Sequence, residues 1–142
     1  MLVRLMYASR AVEPLGADDL NAILRTSRAR NPAVGVTGVL CHAGGIFLQA
    51  LEGGRSAVNA LYLRIAADPR HRDVELLGYQ EIEERRFTGW SMGQVNLARV
   101  NPALLLKYSD TAVLDPYAAC SKASMALFDE LVATASVMGQ GA

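Results

Sequence analysis

The run Phe47-Leu-Gln-Ala-Leu-Glu-Gly53 constrains this chain more than any other stretch. It is an apolar, strand-like segment with an uncharged amide at its centre and a glycine pair on each side, Gly44-Gly45 before it and Gly53-Gly54 after it. Side chains alternate across a strand, so Phe47, Gln49 and Leu51 share one face while Leu48 and Ala50 share the other. Gln49 therefore sits in an apolar row. A buried amide left unpaired costs roughly 1–3 kcal/mol, so it needs a partner. That partner is either neighbouring backbone or a bound ligand, and the run alone leaves both open.

The segments around it supply a fold. Residues 2–7 are rich in strand formers, with Tyr7 near the end of the first strand. A helix is predicted from Asp18 or Asp19 to Arg30, because Leu20, Ile23, Leu24 and Ser27 recur at three- and four-residue spacing and the pattern stops before Asn31-Pro32. Residues 34–42 read as a second strand, turned by Gly44-Gly45 into the central run as a hairpin. Residues 56–67 carry Val58, Leu61, Tyr62 and Ile65 on one side of a second helix, which Asp68-Pro69 ends. Residues 74–82 form a fourth strand, and residues 90–97 a short fifth containing Trp90, Met92 and Val95. The order βαββαβ is a ferredoxin-like α+β arrangement with an added strand, read here with strands one and three parallel at the sheet centre and both helices on one face. Tyr7 and Gln49 then become neighbours.

Beyond Asn101-Pro102 a short helix is predicted over 103–108. Asp115-Pro116 reads as the start of a longer helix over 116–138, with Met125, Phe128, Leu131, Val132, Ala135 and Met138 as an apolar stripe and Gly139 after its end. A sheet with helices on one face exposes apolar residues on the other, so these C-terminal helices are expected to cover it.

Charge and motif content exclude several functions. The 142 residues suit one domain, or one domain with a terminal appendage, and fourteen basic against fourteen acidic side chains provide no field for nucleic acid or an anionic membrane. Cys41 and Cys120 are lone thiols far apart, which favours a reducing, cytoplasmic setting, and no apolar stretch reaches membrane-spanning length. His42 and His71 lack metal-ligand neighbours, no phosphate-binding loop precedes a helix, and Ser9 and Ser91 have no activating base. The informative polar set is Tyr7, Asn31, Gln49, Arg64, Asp68 and His71, placed at the ends of elements that face one side of the sheet. Such a set suits a planar, hydrogen-bonding ligand held between two helices.

Tyr7 in Leu-Met-Tyr-Ala-Ser-Arg, the run Asn31-Pro-Ala-Val-Gly-Val-Thr-Gly-Val-Leu40, the central run 47–53, Arg64 with Asp68-Pro-Arg-His71, and Trp90-Ser-Met92 occur together in this order. In this the chain resembles the BLUF domain, a blue-light sensor that uses FAD, over residues 1–97; the tail resembles that of short stand-alone members. The resemblance implies an isoalloxazine ring sandwiched by Ile23 and Ile65, which read equally as core residues. Asn31 would bond the N3 and C4=O edge, or simply terminate a helix before proline. Arg64 would donate to C2=O, or be solvated. Arg30 stands where some members carry Asn or His beside the flavin. Asp68 and His71 would support the pocket wall, or cap a helix and a loop.

For the photochemistry, the resemblance implies that light makes the flavin a strong oxidant and that Tyr7 donates an electron, then a proton through Gln49. Gln49 is left rotated or tautomerised, and the absorption shifts reversibly to the red. Trp90 and Met92, otherwise ordinary core residues, would move near Gln49 as the signal leaves. The expected protein is a non-enzymatic FAD photoreceptor, with residues 1–97 as sensor and 98–142 as helical cap and output segment. It would signal to a partner protein as a homo-oligomer. A flavin-dependent redox enzyme and a non-photoactive binding module are the competing readings.

Overall fold

The computed structural model describes residues 1–12, 16–113, 115–134 and 137. Its elements run β1 (Leu2–Ala11), α1 (Ala17–Val34), β2 (Thr37–Ala43), β3 (Ile46–Gly54), α2 (Arg55–Ala67), β4 (His71–Ile82), β5 (Gly93–Asn96), a 3-10 turn (Leu97–Arg99), α3 (Pro102–Tyr108) and α4 (Ser121–Ala133). The strands form one sheet in the order β4-β1-β3-β2-β5. No helix among the described residues is long and apolar enough to cross a membrane.

β1 and β3 are the central pair, with Tyr7 directly opposite Gln49, but they run antiparallel, which corrects the expected parallel pairing. The connectivity dictates this. α1 crosses back between β1 and β2, which run the same way, and β3 returns from β2 through a two-glycine hairpin, in which Gly44 and Gly45 take positive φ of 57° and 78°, so it runs against both β2 and β1. The parallel pair is β2 with β5, at the sheet edge.

Period-two alternation sorts the strand residues into two cores, as the central run predicts. Val3, Leu5, Tyr7, Phe47 and Leu51 pack with Leu24 and Val58 beneath α1 and α2. Met6, Val39, Cys41, Leu48 and Ala50 pack on the opposite face with Leu105 of α3 and Leu127, Phe128 and Leu131 of α4. The C-terminal helices thus cover the second sheet face.

Several predicted boundaries move: β1 runs on past Tyr7 to Ala11, and β4 begins at His71 rather than at Val74. α1 continues through Pro32 to Val34, because a proline in the last turn forfeits a single backbone bond. Gly35, left-handed at φ 69°, then closes the helix by letting its own N–H and that of Val36 reach the carbonyls of Pro32 and Asn31, at 3.3 and 3.0 Å. Asn31 and Val34 are therefore helical, not loop and strand. Asp115-Pro116 opens a tight turn rather than α4: the Asp115 carbonyl accepts from Ala118 and Ala119, and Tyr117 is tied to the sheet edge by its hydroxyl on the Asp73 carbonyl (2.8 Å) and by Arg10 over its ring. The helix begins only after this anchor, at Ser121, with the Cys120 Sγ accepting from Ala123. Ala135, Met138 and Gly139 lie outside the described residues. Finally, Trp90 and Met92 precede β5 instead of lying on it.

Beneath the cap lies an ion pair. The Arg4 Nη2 is 2.7 Å from Glu52, and the side chains are 7% and 0% exposed. The Glu52 carboxylate also accepts from the backbone N–H groups of Arg86 and Phe87, each at 2.8 Å on Oε1, and so holds the β4–β5 loop. From that loop Phe87 meets Phe128 edge-on and Arg86 pairs with Asp129 at 2.5 Å, so Glu52 links β3 to α4. Glu52→Ala strands the Arg4 charge in the core, and a loss of about 3–5 kcal/mol is expected in urea unfolding. The double variant Arg4→Met, Glu52→Leu is expected to regain only part of that loss: no buried charge is then left without a partner, but the Arg86 and Phe87 N–H groups still lack their carboxylate acceptor.

Candidate functional site

Between α1 and α2, over the centre of β1 and β3, lies a cleft of about 130 Å³. Its walls are apolar: Ile23 from α1 faces it on one side and Leu61 and Ile65, one helical turn apart, on the other. Both isoleucines are only half-buried, whereas Leu24, next to Ile23, is 1% exposed in the core. Tyr7, Leu40, Phe47, Gln49 and Met92 line the cleft from the sheet side.

The buried polar groups form a chain. The Tyr7 hydroxyl donates to the Gln49 Oε1, and the Gln49 Nε2 donates to the Met92 Sδ at 3.0 Å. Tyr7 is 1% and Gln49 5% exposed. A thioether is a weak acceptor for an amide with two N–H bonds, so Gln49 retains donor capacity. Burial, with smaller contributions from Tyr62 and Asp68, pushes the Tyr7 pKa well above the ordinary phenol value. Tyr7 is therefore a neutral donor, with its ring 5.5 Å from that of Tyr62.

Asn31, 2% exposed at the end of α1, donates through Nδ2 to the Ser91 carbonyl at 2.7 Å. Arg30 and Arg64 line the cleft with exposed side chains. Asp68, at the end of α2, pairs with Arg70 at 2.6 Å and caps the Arg70 N–H at 2.9 Å, and these bonds hold its pKa below the usual carboxylate value. His71 places Nδ1 2.8 Å from the Ser9 hydroxyl and its ring 5.3 Å from Phe47. Burial lowers its pKa against the opposing pull of Asp68, which favours a neutral ring.

The fold thus brings Tyr7, Ile23, Arg30, Asn31, Gln49, Arg64, Ile65, Asp68, His71 and Met92 to one cleft. Trp90 stands apart. It packs against the cap-side core, with its indole Nε1 buried and unpartnered among the described residues, so Met92 is the neighbour of Gln49. Sequence reasoning missed Arg70, whose one signal was its place beside Asp68, and Ser9, whose pairing with His71 spans 62 positions.

These residues fit the flavin of FAD. Two apolar side chains, one from each helix, line the cleft and are left half-exposed there, as a flat ring between them requires. The amides of Gln49 and Asn31 and the guanidinium of Arg64 suit a heteroaromatic edge that combines carbonyl acceptors with one N–H.

The family model described as "Sensors of blue-light using FAD", BLUF, matches residues 2–93. Among curated proteins, the photoactivated adenylate cyclase subunit beta of Euglena gracilis is 44% identical over 92 residues, 64% of this chain but 11% of that protein. The chain thus spans about a tenth of that relative. Among solved structures, the photo-activated state of BlsA superposes with a TM-score of 0.86 at 30% identity, covering 99% of this chain and 98% of that one. The dark state of BlrB, a BLUF protein, gives 0.78 at 34% identity, covering 94% and 96%. The half-exposed isoleucines and the Tyr7–Gln49–Met92 chain therefore lie in a family whose defining cofactor is FAD, and this chain belongs to it: it is a member of the BLUF family of blue-light sensors.

Proposed function

We propose that this chain is a blue-light photoreceptor whose switch is the hydrogen-bonded chain Tyr7–Gln49–Met92, with FAD held between Ile23 and Ile65. The observation that carries the reading is that one buried amide joins a phenol to a thioether at the floor of the cleft. When bound and excited, the flavin supplies a one-electron oxidant. Tyr7 is the group within the cleft able to give up an electron and, with it, a proton, which passes along the existing bond to the Gln49 Oε1. An amide that had accepted this proton at oxygen and passed one from nitrogen to the bound ring that took the electron, or had turned about its side chain, would present a different set of donors to its surroundings. Asn31, Arg64 and Arg30 hold and orient the ring, and Asp68, Arg70 and His71 brace the wall.

No substrate is transformed in this reading, and residues 1–97 form the sensor unit. Residues 98–142 form the output segment, because α3 and α4 cover the sheet face behind Gln49 and meet β3 through Glu52. The signal passes to a partner protein, within a homo-oligomer. The free, exposed thiol of Cys120 fits a reducing, cytoplasmic setting.

The test is spectroscopic. Purified protein is expected to be yellow, to shift its flavin absorption to the red under blue light and to return in the dark. Flavin-loaded protein with no such shift would refute the reading.

A further inference from the structure

We propose that Arg28 is the positioning residue of this switch: one edge of its guanidinium offers two seats to the backbone of residues 90–92, and the seat in use decides whether Met92 stands against Gln49. The inference rests on the reading of Gln49 as the switching amide.

Residues 90–92 lie outside the sheet ladder, which begins at Gly93. What fixes them is a clamp on three consecutive carbonyls by three different groups. The Trp90 carbonyl accepts from the Gly38 N–H at 3.0 Å, the Ser91 carbonyl from the Asn31 Nδ2 at 2.7 Å, and the Met92 carbonyl from the Arg28 Nε at 3.0 Å. Two of these donors belong to α1, one turn apart, and Arg28 holds the residue whose sulfur receives the Gln49 amide. Asn31 also lines the cleft and Gly38 is backbone, which leaves Arg28 as the clamp side chain outside the ligand cleft.

A second observation singles out Arg28. Its Nη2 is buried and without a hydrogen-bond partner among the described residues. In a planar guanidinium the Nε and Nη2 hydrogens lie on one edge and point the same way, the arrangement that grips two acceptors side by side. Here one donor of that edge is taken and its neighbour is empty. A buried charged donor without an acceptor is costly. An arrangement in which a carbonyl of the segment slides from Nε toward Nη2 therefore exchanges one satisfied donor for another at little net loss.

Gln49 decides between the two. With Nε2 toward Met92, a donor meets the sulfur; with the amide turned, oxygen meets sulfur, two acceptors face each other and Met92 is driven off. The segment then needs a second resting place, and the Nη2 supplies it. Such a device works only if its contacts differ between the two states, and the exchange of seats is that difference. Loss of the guanidinium removes a charge-assisted hydrogen bond from both arrangements, so it is expected to loosen the segment in each and to change the rate at which Met92 passes between them by roughly tenfold.

The experiment compares flavin-loaded wild type with Arg28→Leu, which has no donor, and Arg28→Lys, which keeps the charge and a donor but not the fork. The readouts are the Met92 methyl resonance in 13C-methionine-labelled protein in the dark, and the rate of thermal return after a blue flash. Arg28→Leu is expected to shift or split the Met92 signal and to change the return rate several-fold, with the size of the red shift unaltered. Arg28→Lys is expected to restore the dark signal but not the wild-type return rate. A wild-type Met92 signal and return rate in Arg28→Leu would overturn the proposal. Should the leucine variant not fold, a wild-type return rate in Arg28→Lys overturns it equally. Absence of a red shift in the wild type would instead remove the proposed function, while the dark Met92 signal still judges the clamp.

Discussion

Gln49→Leu is expected to abolish the reversible red shift completely while flavin stays bound. Leucine is close to glutamine in size and enters a row already formed by Phe47 and Leu51, so the sheet tolerates it. Two hydrogen bonds disappear together, from the Tyr7 hydroxyl and to the Met92 sulfur, and with them the hydrogen-bonded route that could pass a proton between phenol and cleft. In the proposed site, ring binding would rest on other residues that line the cleft: the Ile23 and Ile65 walls, the Asn31 amide and the Arg64 guanidinium. The flavin-to-protein ratio and the light-minus-dark spectrum separate these roles. A normal difference spectrum in the leucine variant would sink the mechanism, and loss of flavin would show that the amide is chiefly a ligand.

Tyr7→Phe is expected to have an effect as large, by a different route. Phenylalanine keeps the ring beside Tyr62 and removes a single oxygen. Because burial raises the Tyr7 pKa, proton loss without electron loss is suppressed; a phenol becomes strongly acidic only once oxidised, so in this site the two leave together. Phenylalanine is much harder to oxidise and has no proton to give. The Gln49 Oε1 is left without its donor, at about 1–3 kcal/mol, which a fold with two cores absorbs. Transient absorption after a blue flash is the measurement. Formation of the same red-shifted state in comparable yield would reduce Tyr7 to a packing residue.

Both predictions concern residues that were visible in the sequence, and for the same reason. Phe47, Gln49 and Leu51 separate from Leu48 and Ala50 by strand alternation alone, which is local geometry and survives any tertiary arrangement. The Gly44-Gly45 turn and the spacing of Leu61 and Ile65 on α2 are equally local. Recognition of five short segments in order extended this to the cleft. The direction of β1 against β3 departs from the expected one because α1 carries the chain back between β1 and β2, which therefore run the same way, and the hairpin then reverses β3 against both.

The sequence by itself determined which side chains face which side of the sheet, that two helices flank a polar floor, and that an apolar C-terminal stripe needs a sheet face to cover. Only the tertiary structure decided that Met92 rather than Trp90 meets Gln49, that α4 starts after a turn anchored by Tyr117, that Glu52 neutralises Arg4 while holding the β4–β5 loop, and that Arg28 grips the Met92 carbonyl. These contacts join residues 34 to 64 positions apart through a few polar atoms. Periodicity reports burial, which many residues share. The choice of partner for one buried polar atom depends on where distant segments come to rest, and no local pattern encodes it.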